Sequence, residues 1–199
     1  LKGLNRAFVS QGLAMLSRTR NEGLKALVSL SRVDGPPRAF HLGYLLGPRV
    51  NAGGRVGEAA LGTRLLANDD PSEAAVLALR LDELNANRKD IEAAVLMKAI
   101  EQAESETDAN SPMVFVVGDD WHPGVIGIVA SRLRERYDLP AIVVATDGGM
   151  AKGSGRSVPG IDLGRAVLLA RDADLLFNGG GHAMAAGFTI EQNKLDAFR

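Results

Sequence analysis

Cysteine is absent from this 199-residue chain, which also contains only three histidines and one tryptophan. The absence of cysteine excludes disulfides, thiolate nucleophiles and cysteine-based zinc sites, and it is compatible with a reducing compartment such as the cytoplasm. No apolar run approaches the roughly 20 residues that span a bilayer, and no secretory signal opens the chain. We therefore expect a cytoplasmic protein that makes no contact with membranes.

A recognisable metal centre is also missing from the sequence. Metal-dependent phosphoesterases hold their ions with clusters of carboxylates and histidines, and paired ions lie roughly 4 Å apart. Here His41, His122 and His182 are far apart along the chain, and many of the acidic residues fall in one long helical stretch. We therefore expect neither a metal site nor a small-molecule cofactor within this chain.

Charge is nearly balanced, with a formal net charge of -1, but it is unevenly distributed. Residues 1–60 contain nine Lys and Arg against three Asp and Glu, residues 61–112 contain five against eleven, and residues 113–199 contain nine against ten. A basic block followed by an acidic block indicates separate roles, although ordinary solvated helix faces would give the same counts. The chain starts at Leu1 and stops at Arg199 within a helix-like stretch, which is typical of a fragment.

The order of the patterns predicts an α/β fold in three parts. Residues 1–69 contain two short amphipathic helices and then the loop-like stretch GPRVNAGGRVG. Residues 70–108 begin with the capping sequence Asp-Pro-Ser-Glu and continue without Gly or Pro to about Glu106, which predicts a helix of about 35 residues between two lobes. Residues 109–199 alternate strands and helices, which predicts an α/β lobe with a mixed sheet flanked by helices. The apolar face of the long helix is expected at Val76, Leu79, Leu84, Ile91, Val95 and Ile100.

Two stretches place arginines among glycines and serines, a composition that core packing does not require. In GPRVNAGGRVG, Arg49 and Arg55 are candidates for a phosphate clamp, because a guanidinium offers bidentate donors. In KGSGRS, small residues let the backbone approach a ligand, and Ser154, Arg156 and Ser157 supply donors. A loop with surface arginines and a plain hairpin turn are the respective alternatives.

Two further stretches are candidates for anion binding through backbone N–H groups. WHPGVIGIVASRL places His122 just before a helix whose first turn offers free N–H groups, and an ordinary hydrogen-bonding histidine is the alternative. In NGGGHAMAAG, the N–H groups of Gly179, Gly180 and Gly181 are candidates for an anion nest beside His182. A tight turn is the alternative for these glycines. From the residues alone, the four stretches predict phosphate or nucleic-acid binding without a reaction centre.

The order of these motifs, with LNANRKDIE in the long helix, resembles the RecJ family of single-stranded-DNA-specific exonucleases, in the DHH/DHHA1 phosphoesterase superfamily. The resemblance spans essentially the whole chain. It implies a 5′–3′ exonuclease acting on single-stranded DNA, with Mn²⁺ or Mg²⁺ held by an N-terminal DHH lobe upstream of Leu1. This chain would then contain the tail of the DHH lobe, the linking helix and most of the DHHA1 lobe. The fragment alone is expected to bind DNA and hydrolyse nothing.

The resemblance also implies roles for individual residues. The one catalytic role, a supporting contact to the phosphate, belongs to His182. Ser154 and Arg156 are implied at the terminal or scissile phosphate, and Ser157 is a further phosphate-binding residue. Gly180 and Gly181 line the same pocket facing the metal ions. Arg49 and Arg55 are implied at the strand backbone or the lobe interface, and His122 in the cleft.

Two other functions stay open. Another DHH/DHHA1 phosphoesterase, such as a nanoRNase or a cyclic-dinucleotide phosphodiesterase, would also contain a GGGH segment. The length of the linking helix and the GPRVNAGGR stretch favour the RecJ family. A stand-alone nucleic-acid-binding DHHA1 module, like the similar lobe of alanyl-tRNA synthetases, is the alternative that is not an enzyme.

Overall fold

The computed structural model describes residues 2–106, 108 and 111–199. The chain divides into two compact units, Leu1–Lys89 and Asp90–Arg199. None of the helices within the described residues is both long enough and apolar enough to cross a membrane.

The first unit is built from helices. Its elements are α1 (Gly3–Leu16), α2 (Glu22–Leu30), a π-helical segment (His41–Leu46), α3 (Gly47–Val56), α4 (Ala60–Leu66) and the first half of α5 (Pro71–Glu106). Glycine lets two of these helices approach closely, because a Cβ atom on Gly23 of α2 would overlap the carbonyl oxygen of Leu65 on α4. The core of this unit is therefore assembled partly through contacts between helix backbones.

The segment GPRVNAGGRVG was expected to be a loop, and that prediction is wrong, because residues 47–56 form helix α3. Pro48 lies in the first turn of α3, directly after the π-helical segment. Each glycine in a helix costs about 1 kcal/mol relative to alanine. Burial of Leu46 just before the helix and of Ala52 within it offsets this cost.

Helix α5 is one helix of 36 residues, as its capping sequence predicts. The Asp70 carboxylate accepts hydrogen bonds from the N–H groups of Ser72 and Glu73 at 2.7 and 3.2 Å. These bonds satisfy donors that the first helical turn otherwise leaves unpaired. The boundary between the two units falls inside this helix, between Lys89 and Asp90.

The buried face of α5 in the first unit differs from the predicted one. Val76 and Leu79 are 66% and 53% exposed. Leu84 is buried, as predicted, but the prediction chose Val76 and Leu79 in place of Leu77 and Leu81 and overlooked the alanines. Residues three and four positions apart share a helix face whatever their size. The residues of α5 in the core of the first unit are Ala74, Leu77, Ala78, Leu81 and Leu84.

The second unit contains the predicted mixed sheet. Its elements are β1 (Val114–Asp119), α6 (Ile126–Tyr137), β2 (Ala141–Asp147), β3 (Met150–Arg156), α7 (Leu163–Asp172), β4 (Asn178–His182), β5 (Ala185–Glu191) and α8 (Leu195–Phe198). The strand order is β1-β2-β3-β5-β4, with β1 and β2 parallel and the other neighbours antiparallel.

Helices cover the two faces of this sheet unequally. On one face, Phe188 and Ile142 pack with Val167 of α7 in a buried cluster. On the other face, α6 packs on β1, β2 and β3. Beyond α6 on that face, Gly187 of β5 and His182 of β4 are exposed. The half of the sheet formed by β5 and β4 is therefore accessible on that face.

The second half of α5 packs along the edge strand β1. The Gln102 side-chain oxygen accepts a hydrogen bond from the Val117 N–H at 3.1 Å. Arg136 of α6 forms an ion pair with Glu104 at 2.8 Å. The Gln102 bond satisfies one backbone donor of an edge strand, and the ion pair links α5 to α6.

Candidate phosphate-binding face

Four of the residues predicted to bind phosphate lie on one face of the sheet. Residues paired across neighbouring strands share a face, and strands lie about 4.8 Å apart. Across β3, β5 and β4 the paired residues therefore span roughly 10 Å. We call the following two rows of paired residues the open face: Ser154, Gly187 and Gly180 in the first row, and Arg156, Ala185 and His182 in the second.

Gly180 differs from its two neighbouring glycines. A Cβ atom on Gly179 would lie 2.7 Å from a Val167 methyl group, and one on Gly181 would overlap the Ala185 carbonyl oxygen. Packing therefore requires both of these glycines. On the opposite side of the strand, no described atom lies within 4 Å of a Cβ atom built on Gly180. Packing therefore does not require a glycine at this position, and the free space lets a ligand approach the backbone.

Neither a turn nor an anion nest forms at Gly179–Gly181, so both of those predictions are wrong. The three residues belong to edge strand β4. In an extended strand, successive N–H groups point in opposite directions, so three consecutive groups do not converge on one anion. On the open face, a ligand can therefore reach the β4 backbone at Gly180, but these three glycines do not present a convergent group of N–H donors.

Arg156 is held in place at the edge of α6. Its Nη1 donates to the Ser154 Oγ at 3.2 Å and to the Gly155 carbonyl oxygen at 2.8 Å. A Cβ atom on Gly127, in the first turn of α6, would lie 2.9 Å from the Ser154 Oγ and 3.0 Å from the Arg156 Nη2. WHPGVIGIV and KGSGRS therefore meet through Gly127, a residue that the sequence reasoning missed. An anion beside Arg156 would also lie near the positive end of α6.

His182 presents a hydrogen-bond donor at the other end of the same row. Its Nδ1 accepts a hydrogen bond from the Met184 N–H at 3.3 Å, so the neutral ring carries its proton on Nε2. Its backbone is fixed by α7, because a Cβ atom on Gly164 would lie 2.9 Å from the N, Cα and C atoms of His182. The side chain is exposed. A phosphate on the open face would therefore meet a positioned imidazole donor.

Ser157 does not belong to the open face, which corrects its grouping with Ser154 and Arg156. It is 1% exposed, and its hydroxyl donates to the Ile161 carbonyl oxygen at 2.8 Å. Its N–H donates to the Met184 carbonyl oxygen at 2.9 Å. These bonds tie the turn after β3 to the turn between β4 and β5, so Ser157 supports the position of both.

The two arginines of GPRVNAGGRVG do not form a clamp. They are six residues apart on α3, which places them about 120° apart around the helix axis. Arg49 is 16% exposed, its Nε lies 2.8 Å from the Asp82 Oδ1, and its Nη1 donates to the Leu45 carbonyl oxygen. It therefore braces α3 against α5. Arg55 is exposed in the last turn of α3, and both arginines belong to the first unit.

His122 caps the turn that leads into α6. Its Nδ1 accepts a hydrogen bond from the Gly124 N–H at 3.0 Å, and its carbonyl oxygen accepts one from the Val125 N–H at 3.0 Å. Its side chain lines a cavity of about 350 Å³ with Trp121 and Lys152, and not the two rows of the open face. The structure therefore places His122 outside the two rows of the open face.

The described residues do not form a ligand group suited to a metal ion. Across residues 2–106, 108 and 111–199, no group of three or more His, Asp or Glu side chains is close enough to hold one. The open face supplies a guanidinium, a hydroxyl and an imidazole N–H. These groups are hydrogen-bond donors suited to an anion, and the set lacks the carboxylate cluster that metal-dependent hydrolysis uses.

Comparison with known proteins identifies the family relationship. Residues 110–199 match the DHHA1 domain. The single-stranded-DNA-specific exonuclease RecJ of Dickeya dadantii is 39% identical over 203 residues, which cover 98% of this chain and 35% of that protein. The chain is homologous to part of RecJ. The match spans about a third of the RecJ length, so it concerns a part of RecJ and not the whole protein.

Solved RecJ structures share the fold described above. Two crystal structures of RecJ from Thermus thermophilus, in complex with Mn²⁺ and with Mg²⁺, each match with a TM-score of 0.86 at 36% identity. Both matches cover 98% of this chain, and 28% and 30% of the respective RecJ chains. The arrangement of helices and mixed sheet is therefore that of the corresponding part of RecJ.

Proposed function

We propose that this chain is the DNA-binding part of a RecJ-type 5′–3′ single-stranded DNA exonuclease, and that its open face binds a phosphate of the strand. One observation carries the proposal, namely that Ser154, Arg156, Gly180 and His182 share one accessible face. The RecJ relatives are named for action on single-stranded DNA. The cytoplasmic location of the protein stays a prediction.

Each member of the open face has a part in the proposed phosphate contact. Arg156 supplies a charge-assisted hydrogen bond, and the Ser154 hydroxyl lies 3.2 Å from its Nη1, so both reach one phosphate. His182 adds the Nε2 donor from the far end of the row. Gly180 and Gly187 carry no side chain between these donors, which lets the sugar-phosphate backbone approach the sheet.

The proposed division of the chain follows its elements. Residues 1–69 are assigned to the end of a DHH lobe, residues 70–108 to the linking helix and residues 109–199 to the DHHA1 lobe. Helix α5 at Pro71–Glu106 and the DHHA1 match at 110–199 support these bounds.

Hydrolysis is proposed to depend on a metal held by RecJ residues that have no counterpart here. The Thermus thermophilus RecJ structures contain Mn²⁺ or Mg²⁺, and the described residues of this chain do not form a fitting ligand group. The chain alone is therefore expected to bind single-stranded DNA without degrading it, whichever of the two ions is added.

The test measures binding of a 5′-phosphorylated, dye-labelled oligothymidylate by fluorescence anisotropy. Arg156→Ala should raise the dissociation constant roughly tenfold, because it removes a charge-assisted hydrogen bond. Arg165→Ala is the matched control, since Arg165 is exposed on α7 at the opposite face of the sheet. Binding should also weaken as salt rises. Equal effects of the two substitutions would contradict the proposal.

A further inference from the structure

The cavity of about 350 Å³ lies where the loop between β1 and α6 meets β3 and β5. Its lining includes Trp121 and His122 from the loop, Lys152 from β3 and Thr189 from β5. None of the six residues of the open face is part of this lining. The volume falls within the range of small-molecule sites, which begins at roughly 300 Å³.

The place of the cavity in the fold is one that commonly binds ligands. Strands β1 and β2 are parallel, and α6 connects them. Asp120 follows the carboxyl end of β1, Asp147 ends β2, and both residues line the cavity. In open α/β sheets, ligands bind in the crevice outside the carboxyl ends of the strands.

The cavity lies beside the open face, at the next row of paired residues along β3 and β5. Lys152 pairs with Thr189 across β3 and β5, as Ser154 pairs with Gly187 in the next row. Residues two apart on a strand share a face and lie roughly 7 Å apart, so Lys152 is roughly 13 Å from Arg156 along β3. A strand whose phosphate lies at Arg156 therefore has a neighbouring nucleotide within reach of the cavity.

The aromatic part of the lining is fixed in place. Trp121 is 7% exposed, and its ring packs directly on Gly118, where a Cβ atom would overlap it. The His122 ring is held by the Gly124 N–H through Nδ1, which leaves Nε2 as a donor. Binding in the cavity therefore costs little ordering of these side chains.

The polar residues of the lining include both hydrogen-bond donors and hydrogen-bond acceptors. Lys152 and Thr189 offer donors, and neither side chain has a partner among the residues that the structure describes. Asp120 and Asp147 offer acceptors. Two carboxylates disfavour a second phosphate, whereas the edge of a nucleobase presents amino or imino donors beside carbonyl or ring-nitrogen acceptors.

We propose that this cavity binds a nucleobase of the same DNA strand whose phosphate contacts the open face. The apolar floor formed by Trp121 and Pro123 receives the ring, and the polar side chains meet its edge. The inference rests on the proposed function in one respect, since it takes the strand to lie along the open face.

The experiment compares two strands of equal length with the 199-residue chain. One is a 5′-phosphorylated oligothymidylate, and the other has the same sugar-phosphate backbone with abasic sites throughout. Trp121 is the only tryptophan, so its emission reports on this cavity alone. The intact strand should quench Trp121 emission and bind on the order of tenfold more tightly than the abasic strand, because stacking and edge contacts need a base.

Substitutions then separate the cavity from the phosphate site. Thr189→Val, which keeps the shape of the side chain, and Lys152→Ala should each weaken binding of the intact strand about threefold or more and leave the abasic strand unaffected. Lys98→Ala, at an exposed position of α5, is the control and should change neither. Arg156→Ala should weaken both strands.

The outcomes distinguish failure of the cavity from failure of the proposed function. Equal affinity and equal quenching for the two strands would overturn the nucleobase site while DNA binding by the open face stands. Equal weakening of both strands by Lys152→Ala would also overturn it, because Lys152 would then be a phosphate contact. If neither strand binds, the proposed function fails, and the nucleobase site is then tested with free thymidine. Quenching of Trp121 emission by thymidine that Thr189→Val reduces would support the nucleobase site. No quenching by thymidine would overturn it.

Discussion

Both units contain glycines that close packing requires and glycines with free space beside them, and the second unit places the two kinds next to each other in one strand. In the first unit, Gly23 permits α2 and α4 to touch through their backbones. In the second unit, Gly179 and Gly181 likewise fill places where a side chain would clash, whereas Gly180 between them has free space beside it. Glycine-rich sequence therefore indicates close approach, and only the structure shows whether the approaching group is the protein itself or a ligand.

The largest effect is expected for Gly23→Ala. The added Cβ would overlap the Leu65 carbonyl oxygen, so α2 and α4 must separate. We expect a loss of about 3 kcal/mol in the free energy of unfolding of the first unit, measured by urea denaturation. Gly12→Ala in α1 is the control, because its Cβ meets no described atom within 4 Å, and it should stabilise by up to about 1 kcal/mol.

A smaller effect is expected within β4. Gly181→Ala would bring a Cβ against the Ala185 carbonyl oxygen and the Ala186 side chain at a sheet edge that has some freedom to adjust. We expect a loss of about 2 kcal/mol in the free energy of unfolding of the second unit. Gly180→Ala, one residue earlier, should leave that free energy within about 0.5 kcal/mol of the original value. If both substitutions destabilise alike, the distinction between the two glycines is wrong.

The smallest effect in free energy concerns binding. Gly180→Val places a branched side chain on the open face, and valine is well suited to a strand. We expect an unchanged denaturation midpoint and an increase on the order of tenfold in the dissociation constant for single-stranded DNA, about 1.4 kcal/mol. Measurement by anisotropy, with Gly12→Ala as the control, checks this. Unchanged affinity would show that no strand approaches Gly180.

The fold was predictable from sequence where a local signal sets the structure. The cap at Asp70 and the lack of glycine up to Glu106 gave α5 correctly. Strand β4 was missed because NGGGH contains no residue of high β-propensity, and its extended form comes from pairing with β5. Helix α3 was missed for a related reason, since its glycines are compensated by burial that the sequence does not display.

The candidate site was predictable in composition and not in geometry. Ser154, Arg156 and Ser157 are adjacent in KGSGRS, but the two-residue period of a strand puts the first two on one face, and Ser157 lies beyond the end of β3. His122 stood out as a rare residue type, whereas Gly127 makes the contact with Ser154. No pattern in the sequence indicates that contact, because it depends on how α6 packs on the sheet.

The position of β4 has a consequence for association between molecules. It is an edge strand, and exposed edges can pair with strands of other copies and lead to aggregation. Short length and low β-propensity both make such pairing unfavourable. Three glycines in a strand of five residues provide both features. The glycine that leaves free space on the open face and the two that packing requires therefore also make this edge a poor template for another polypeptide.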